Sequence, residues 1–219
     1  MEAHVIPPRN PATHMLGIDV GQRNDYSALV VAQRTVIQGP FDHATMSRPW
    51  HPRFVYQHAE RIPLNTNLVT VARIIQDTTR QLASIPGAGV RLAIDATGVG
   101  AGLVDILKCL ELNATLWAVF ITGSNKPHAV TKSSDGYFTQ SKSGLMLNVR
   151  LGLDQNRTFF AKDMKNRQLL IDELCGWGAD SPTKNDDLAC AAALAQWASL
   201  MAYPGDLRRS LLQAGTVVR

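Results

Sequence analysis

Short apolar runs and helical spacings follow one another along the chain in an order that predicts an α/β fold. Residues 15–20 form a compact apolar run and residues 27–37 a longer one rich in β-branched side chains, so both read as strands, with a turn over 21–26. Residues 53–60 alternate well enough for a third strand, which completes an antiparallel meander. Leu68, Val71, Ala72, Ile75, Thr79 and Leu82 then recur at helical spacing from Asn65 or Thr66 until Pro86-Gly87 ends the pattern. A strand over 90–94, a helix over 100–110 and a strand over 115–121 follow, giving the order β-β-β-α-β-α-β and a mixed five-stranded sheet. Helices are expected over 141–153 and 166–175, and from about Asp186 to Met201. No internal repeat is visible.

Composition sets the scale of this picture. A chain of 219 residues, 45% apolar and 18% charged, can bury a sizeable core in one domain and is too short for two full lobes. That domain is expected over residues 15–203, after a flexible leader or linker stub at 1–14, with Pro7, Pro8 and Pro11. A basic tail with Arg208 and Arg209 is expected over 204–219. The formal charge is only +4, yet between Lys126 and Arg167 eight Lys and Arg face three Asp, and this local excess points to a polyanionic partner. Cys109, Cys175 and Cys190 stand at no metal-ligand spacing and read as small, reduced core residues. A cytoplasmic protein is expected. The start lacks a charged segment followed by an apolar one, and no uninterrupted apolar run reaches the roughly 18 residues needed to span a bilayer; the nearest, Leu188 to Tyr203, is rich in alanine and follows two aspartates.

Three places carry candidate chemistry. The first apolar run ends in Asp19, within GIDVG, and a lone buried carboxylate is costly unless it is paired or holds a cation. A second apolar strand ends in Asp95 and enters a helix through the glycines of ATGVGAG. Those glycines could form a dinucleotide loop, although the spacing is G-x-G-x-G and no acid stands at the required distance, or a tight turn in which Asp95 caps the helix. The third place is KNDDLACAAALAQW, where Asp186 and Asp187 precede a helix of small residues. One aspartate there would be an ordinary cap; two exceed what a cap requires. Small side chains let that helix lie close on a sheet, so its first turn would reach the ends of the central strands. Asp19, Asp95 and Asp187 would then converge and repel unless a cation offset them. Hard oxygen ligands select Mg²⁺ or Mn²⁺, and the usual task of such a site is phosphoryl chemistry with two ions, which Asp19 would bridge.

At these residues the chain resembles the nuclease domain of phage large terminases, within the RNase H-like (retroviral integrase) superfamily. GIDVG followed by Asp25-Tyr26-Ser27-Ala28, then IDATGVG, then NDDLACAAALAQW match its three motifs in order. Lys142 ahead of a helix, an aromatic strand over 158–160, and Glu173-Leu174 closing the next helix also fit. The resemblance, from Met15 to Met201, implies an RNase H-like mixed sheet flanked by helices and a metal-dependent endonuclease that cuts double-stranded DNA. It implies that Asp19, Asp95 and an acid of the Asp186-Asp187 pair hold the ions; Asp187, directly before the apolar helix, is favoured. Where some relatives carry a His or Asp one turn into that helix, this chain has Cys190.

The family couples this domain to an ATPase motor, and no G-x-x-x-x-G-K-[ST] loop exists here. The chain is therefore expected to be an excised domain, a truncated remnant or a stand-alone nuclease, served by a separate packaging ATPase, small terminase or portal. If phage-encoded, it would act in the host cytoplasm. DNA affinity would come from phosphate contacts with little sequence preference, and the basic loop over 122–142 offers Lys126, Lys132 and Lys142, with His128 and Tyr137 as helpers. Rival readings are a Holliday-junction resolvase, marked by junction selectivity, a DNA-binding accessory indifferent to Asp19→Asn, and an actin-like ATPase or sugar-kinase lobe, marked by ATP binding.

Overall fold

The computed structural model describes residues 12–21, 25–39, 41, 43–44, 46–48, 50–123, 130–177 and 185–203. The expected meander is present as β1 (Thr13–Asp19), β2 (Ser27–Gln38) and β3 (Trp50–Ile62), followed by α1 (Leu68–Ala83), β4 (Gly89–Asp95), α2 (Val99–Lys108) and β5 (Thr115–Thr122). After them come β6 (Thr131–Lys132), β7 (Phe138–Ser141), α3 (Lys142–Asp154), β8 (Thr158–Phe160), α4 (Arg167–Gly176) and α5 (Asp187–Ala202). The sheet has eight strands in the order β6-β7-β5-β4-β1-β2-β3-β8. The five predicted strands are its centre. Of the three additions, β8 is the aromatic strand that the resemblance implied over 158–160, while β6 and β7 have two and four residues, too few to show a two-residue period. Strand β1 begins inside the expected leader; the rest of that leader, residues 1–11, and the tail 204–219 lie outside the described residues.

Strand β1 runs antiparallel to β2 and parallel to β4, so it is buried in the middle and β4 lies beside it. The sheet is covered on both faces. Leu16, Ile18, Leu92 and Ile94 point into the core shared with Val71 and Ile75 of α1 and Leu103 and Leu107 of α2. On the other face Met15, Ala93 and Val119 meet Leu145 of α3, Leu170 of α4 and the whole of α5. Residues 188–199 are all buried, because α5 has the sheet below and α3 and α4 above; an all-round apolar helix belongs in such a position.

Gly17 fixes how near α5 can come. A Cβ at this position would overlap the carbonyl of Ala191, so the helix backbone rests directly on β1. Alanines alone supply the other half of this close approach. The cysteines divide differently from expectation: Cys190 is buried in α5, but Cys109 and Cys175 are exposed. Cys109 follows the last turn of α2 as its C-cap, where helical periodicity no longer decides which way a side chain faces.

Candidate metal centre

Alternation along two parallel strands builds the site. Gly17 faces α5, and so does Asp19 two residues on; Ala93 faces α5, and so does Asp95. The parallel register pairs Ile18 with Ile94, so the two aspartates stand side by side at the C-terminal ends of neighbouring strands. Helix α5 completes the group. Ligand atoms of Asp19, Asp95 and Cys190 all lie within 4.8 Å of one another.

Asp95 is set by its turn. Its Oδ1 accepts the Thr97 N–H at 2.8 Å, and the Thr97 hydroxyl accepts the Ile121 N–H at 3.0 Å, tying the turn to β5. Asp95 therefore shapes the turn and leaves α2 uncapped by any side chain: the N-cap is Gly98 at φ 57°, a conformation that suits glycine. Gly100 packs so closely on the Asp95 carbonyl that a Cβ would overlap it. These glycines serve a tight strand-to-helix turn, as in the alternative to a dinucleotide loop, but the helix cap which that alternative gave to Asp95 is not made.

Asp186 and Asp187 border the same cleft, with Asp19, Asp25, Thr97 and Asn185, but neither belongs to the tight group of Asp19, Asp95 and Cys190. They face different cations. The Asp186 carboxylate accepts from Lys142 Nζ and, at 3.0 Å, from the Trp177 indole N–H. Asp187 Oδ2 lies 3.8 Å from Arg61 Nε and is buried with no hydrogen-bond partner among the described residues. Of the expected DNA contacts, Lys142 stands at this cleft, exposed Lys132 is on β6, away from the acids along the sheet, and Lys126 and His128 lie outside the described residues. Sequence reading gave no role to Arg61 or Trp177 and took Glu173 only as the close of a helix. Their signals were an arginine inside a half-buried strand and an acid between Leu170 and Leu174 on an otherwise apolar helix face.

Charge crowding is the electrostatic mark of the place. Burial pushes the Asp19 carboxyl well above the usual range; Asp95, Asp187 and Asp186 push it further, and the Cys190 thiol offsets part of this by donating to it. Burial also raises Asp95, against its Thr97 bonds and the nearby Lys142. The Cys190 thiol is itself raised well above its ordinary value by burial and by the surrounding acids, so it is a neutral donor. An acid raised in this way binds its proton more tightly folded than unfolded. Its stability contribution is complete below the ordinary aspartate range and is lost as pH rises through the raised value. Metal-free protein is expected to lose stability over that interval, and Asp19→Asn to flatten the loss, as thermal melts in EDTA across pH will show. His14, lowered by burial, acts in the opposite sense on the acid side, so the difference between variant and wild type is the informative quantity.

The fold has solved counterparts. The human cytomegalovirus terminase nuclease domain aligns with TM-score 0.53 and 11% identity over 84% of this chain and 82% of that one. The same domain soaked with Mn aligns with TM-score 0.51 and 11% identity over 84% and 81%. A structure of the nuclease domain of the bacteriophage SPP1 large terminase with bound Mn aligns with TM-score 0.46 and 13% identity over 85% and 86%. The chain shares the RNase H-like fold of terminase nuclease domains. No protein-family profile and no curated protein matches it. Among the described residues no helix is long and apolar enough to cross a membrane.

Proposed function

We propose that this protein is a metal-dependent endonuclease that hydrolyses phosphodiester bonds of double-stranded DNA with two divalent ions, Mg²⁺ or Mn²⁺. The observation that carries the reading is the convergence of Asp19 and Asp95 at the ends of adjacent strands, with the uncommitted, buried oxygen of Asp187 beside them.

The residues present fit hard divalent cations. The donors are carboxylate oxygens, their mutual repulsion demands positive charge, and among the described residues Asp187 Oδ2 accepts no hydrogen bond, with only the Arg61 guanidinium at ion-pair distance. Cys190, a neutral thiol that donates to Asp19, steadies that carboxylate and is a poor ligand for such ions. Asp19, Asp95 and Asp187 would hold the metal; Asp186, engaged by Lys142 and Trp177, is the weaker candidate. When bound there, divalent ions supply activation of a water and neutralisation of charge on the leaving oxygen. The protein's own part is positional. The Asx turn at Thr97 fixes Asp95, and α5 resting on Gly17 holds Cys190 against Asp19 and Asp187 at the border of the same cleft. Lys142, its Nζ held by Asp186, presents a positive charge at the cleft rim for a DNA phosphate, and Lys132 extends basic surface along the sheet.

The counterpart structures, terminase nuclease domains by their descriptions, suit a role in genome packaging beside a separate ATPase, small terminase or portal. Supercoiled plasmid incubated with the protein in Mn²⁺ or Mg²⁺ is expected to be nicked and then linearised, and to stay intact in EDTA. Binding without cutting in every metal tested would favour the accessory reading instead.

A further inference from the structure

The first turn of α5 is capped from outside. A helix preceded by aspartate ordinarily satisfies its own leading N–H groups, yet the N-cap Asp186 makes no such bond, and its Oδ2 accepts from Lys142 and Trp177 instead. Glu173 of α4 substitutes for it: Oε2 accepts Leu188 N–H at 2.8 Å and Ala189 N–H at 3.0 Å. Its other oxygen, Oε1, accepts from Arg61 Nη2 at 2.5 Å, and the Glu173 side chain is only 2% exposed. Arg61 thus reaches across from β3 with one end anchored. Its Nε stops 3.8 Å from Asp187 Oδ2, too far for a hydrogen bond, and both atoms are buried without a hydrogen-bond partner among the described residues.

Two unsatisfied atoms of opposite charge at that distance would normally close the gap, since charge-assisted hydrogen bonds are the strong ones. The Glu173 anchor holds the guanidinium back, and the Tyr26 ring, 5.0 Å from the Arg61 guanidinium carbon, flanks it on another side. We infer that Glu173 and Arg61 are positioning residues for the metal centre: Glu173 restrains Arg61, so that its charge offsets Asp187 without capturing the oxygen a divalent ion needs. The inference rests on Asp187 being a metal ligand, as read above.

Calorimetric titration of the full chain with Mn²⁺, alongside thermal melts with and without Mn²⁺, tests it. Glu173→Gln keeps an acceptor for the α5 N–H groups but releases Arg61 to pair with Asp187, so Mn²⁺ affinity is expected to fall about tenfold. Arg61→Gln alone removes a nearby positive charge and is expected to raise affinity about threefold. Combined in one chain, the second change is expected to bring affinity back at least to the wild-type value. A residue that merely caps a helix would lower the melting temperature and leave Mn²⁺ affinity of the folded protein as it was. The inference is overturned by wild-type affinity in folded Glu173→Gln, or by a double variant as weak as that single one. Should Glu173→Gln melt too low to titrate, Arg61→Gln decides, and unchanged or weaker affinity overturns it. Asp187→Asn separates the layers: if it binds Mn²⁺ like wild type, the assignment of Asp187 as a ligand fails, whatever the other variants do.

Discussion

Asp19→Asn and Asp95→Asn are each expected to lower metal-dependent plasmid cleavage on the order of a hundredfold or more, with the fold intact. Both changes keep the shape of the side chain and remove the charge of one carboxylate from a group packed within 4.8 Å. Asparagine at position 95 can still accept the Thr97 N–H, so the turn into α2 survives. At position 19 the lost charge is one that burial and three neighbouring acids already oppose, so the metal-free variant is expected to melt no lower than wild type. Mn²⁺ is expected to stabilise wild type by mass action and these variants much less. Nicking time courses on supercoiled plasmid, run beside melts with and without Mn²⁺, read both effects. Cleavage by either variant at the wild-type rate would remove the pair from the reaction.

Gly17→Val is expected to cost more than about 3 kcal/mol, a fall in melting temperature of about 10 °C or more. The new side chain would meet the Ala191 carbonyl and the Ala195 amide, backbone atoms of a fully buried helix that has no flexible end to move aside. Relief requires α5 to lift from β1. That movement withdraws Asp187 and Cys190 from Asp19, so cleavage is expected to be lost along with stability. Gly123→Ala is the matched control: no atom of the described residues lies within 4 Å of an added Cβ there, and a change within about 0.5 kcal/mol is expected. Thermal melts of both variants check the pair. A Gly17→Val protein as stable as the control would mean that α5 does not rest on β1.

The sequence by itself determined the sheet and the two strand-end acids. The runs ending in Asp19 and Asp95 have the length and apolar content of central strands, and a glycine-rich turn after the second leads into a helix. Such signals are local, because hydrophobic period and turn chemistry are written in neighbouring residues. The small-residue character of α5 was equally plain, and it predicted a close approach to the sheet. Strands β6 and β7 left almost no trace, since each forms only where an existing edge offers hydrogen bonds, whereas the family resemblance did point to β8 as the aromatic strand over 158–160. Cys109 and Cys175 misled, because a helical pattern does not say which side of a short helix or its end meets water.

What only the tertiary structure decided is how the two adjacent acids at the start of α5 divide their partners. In the sequence only its place directly before the apolar helix favours Asp187 over Asp186. In the fold Lys142 and Trp177 take the first, while Arg61, tethered by Glu173, stands just short of the second. These partners come from α3, the end of α4 and β3, and no spacing along the chain encodes that meeting. Local pattern fixes which residues end a strand or begin a helix; the charge around each depends on long-range packing, and that packing decides which carboxylate is left uncommitted.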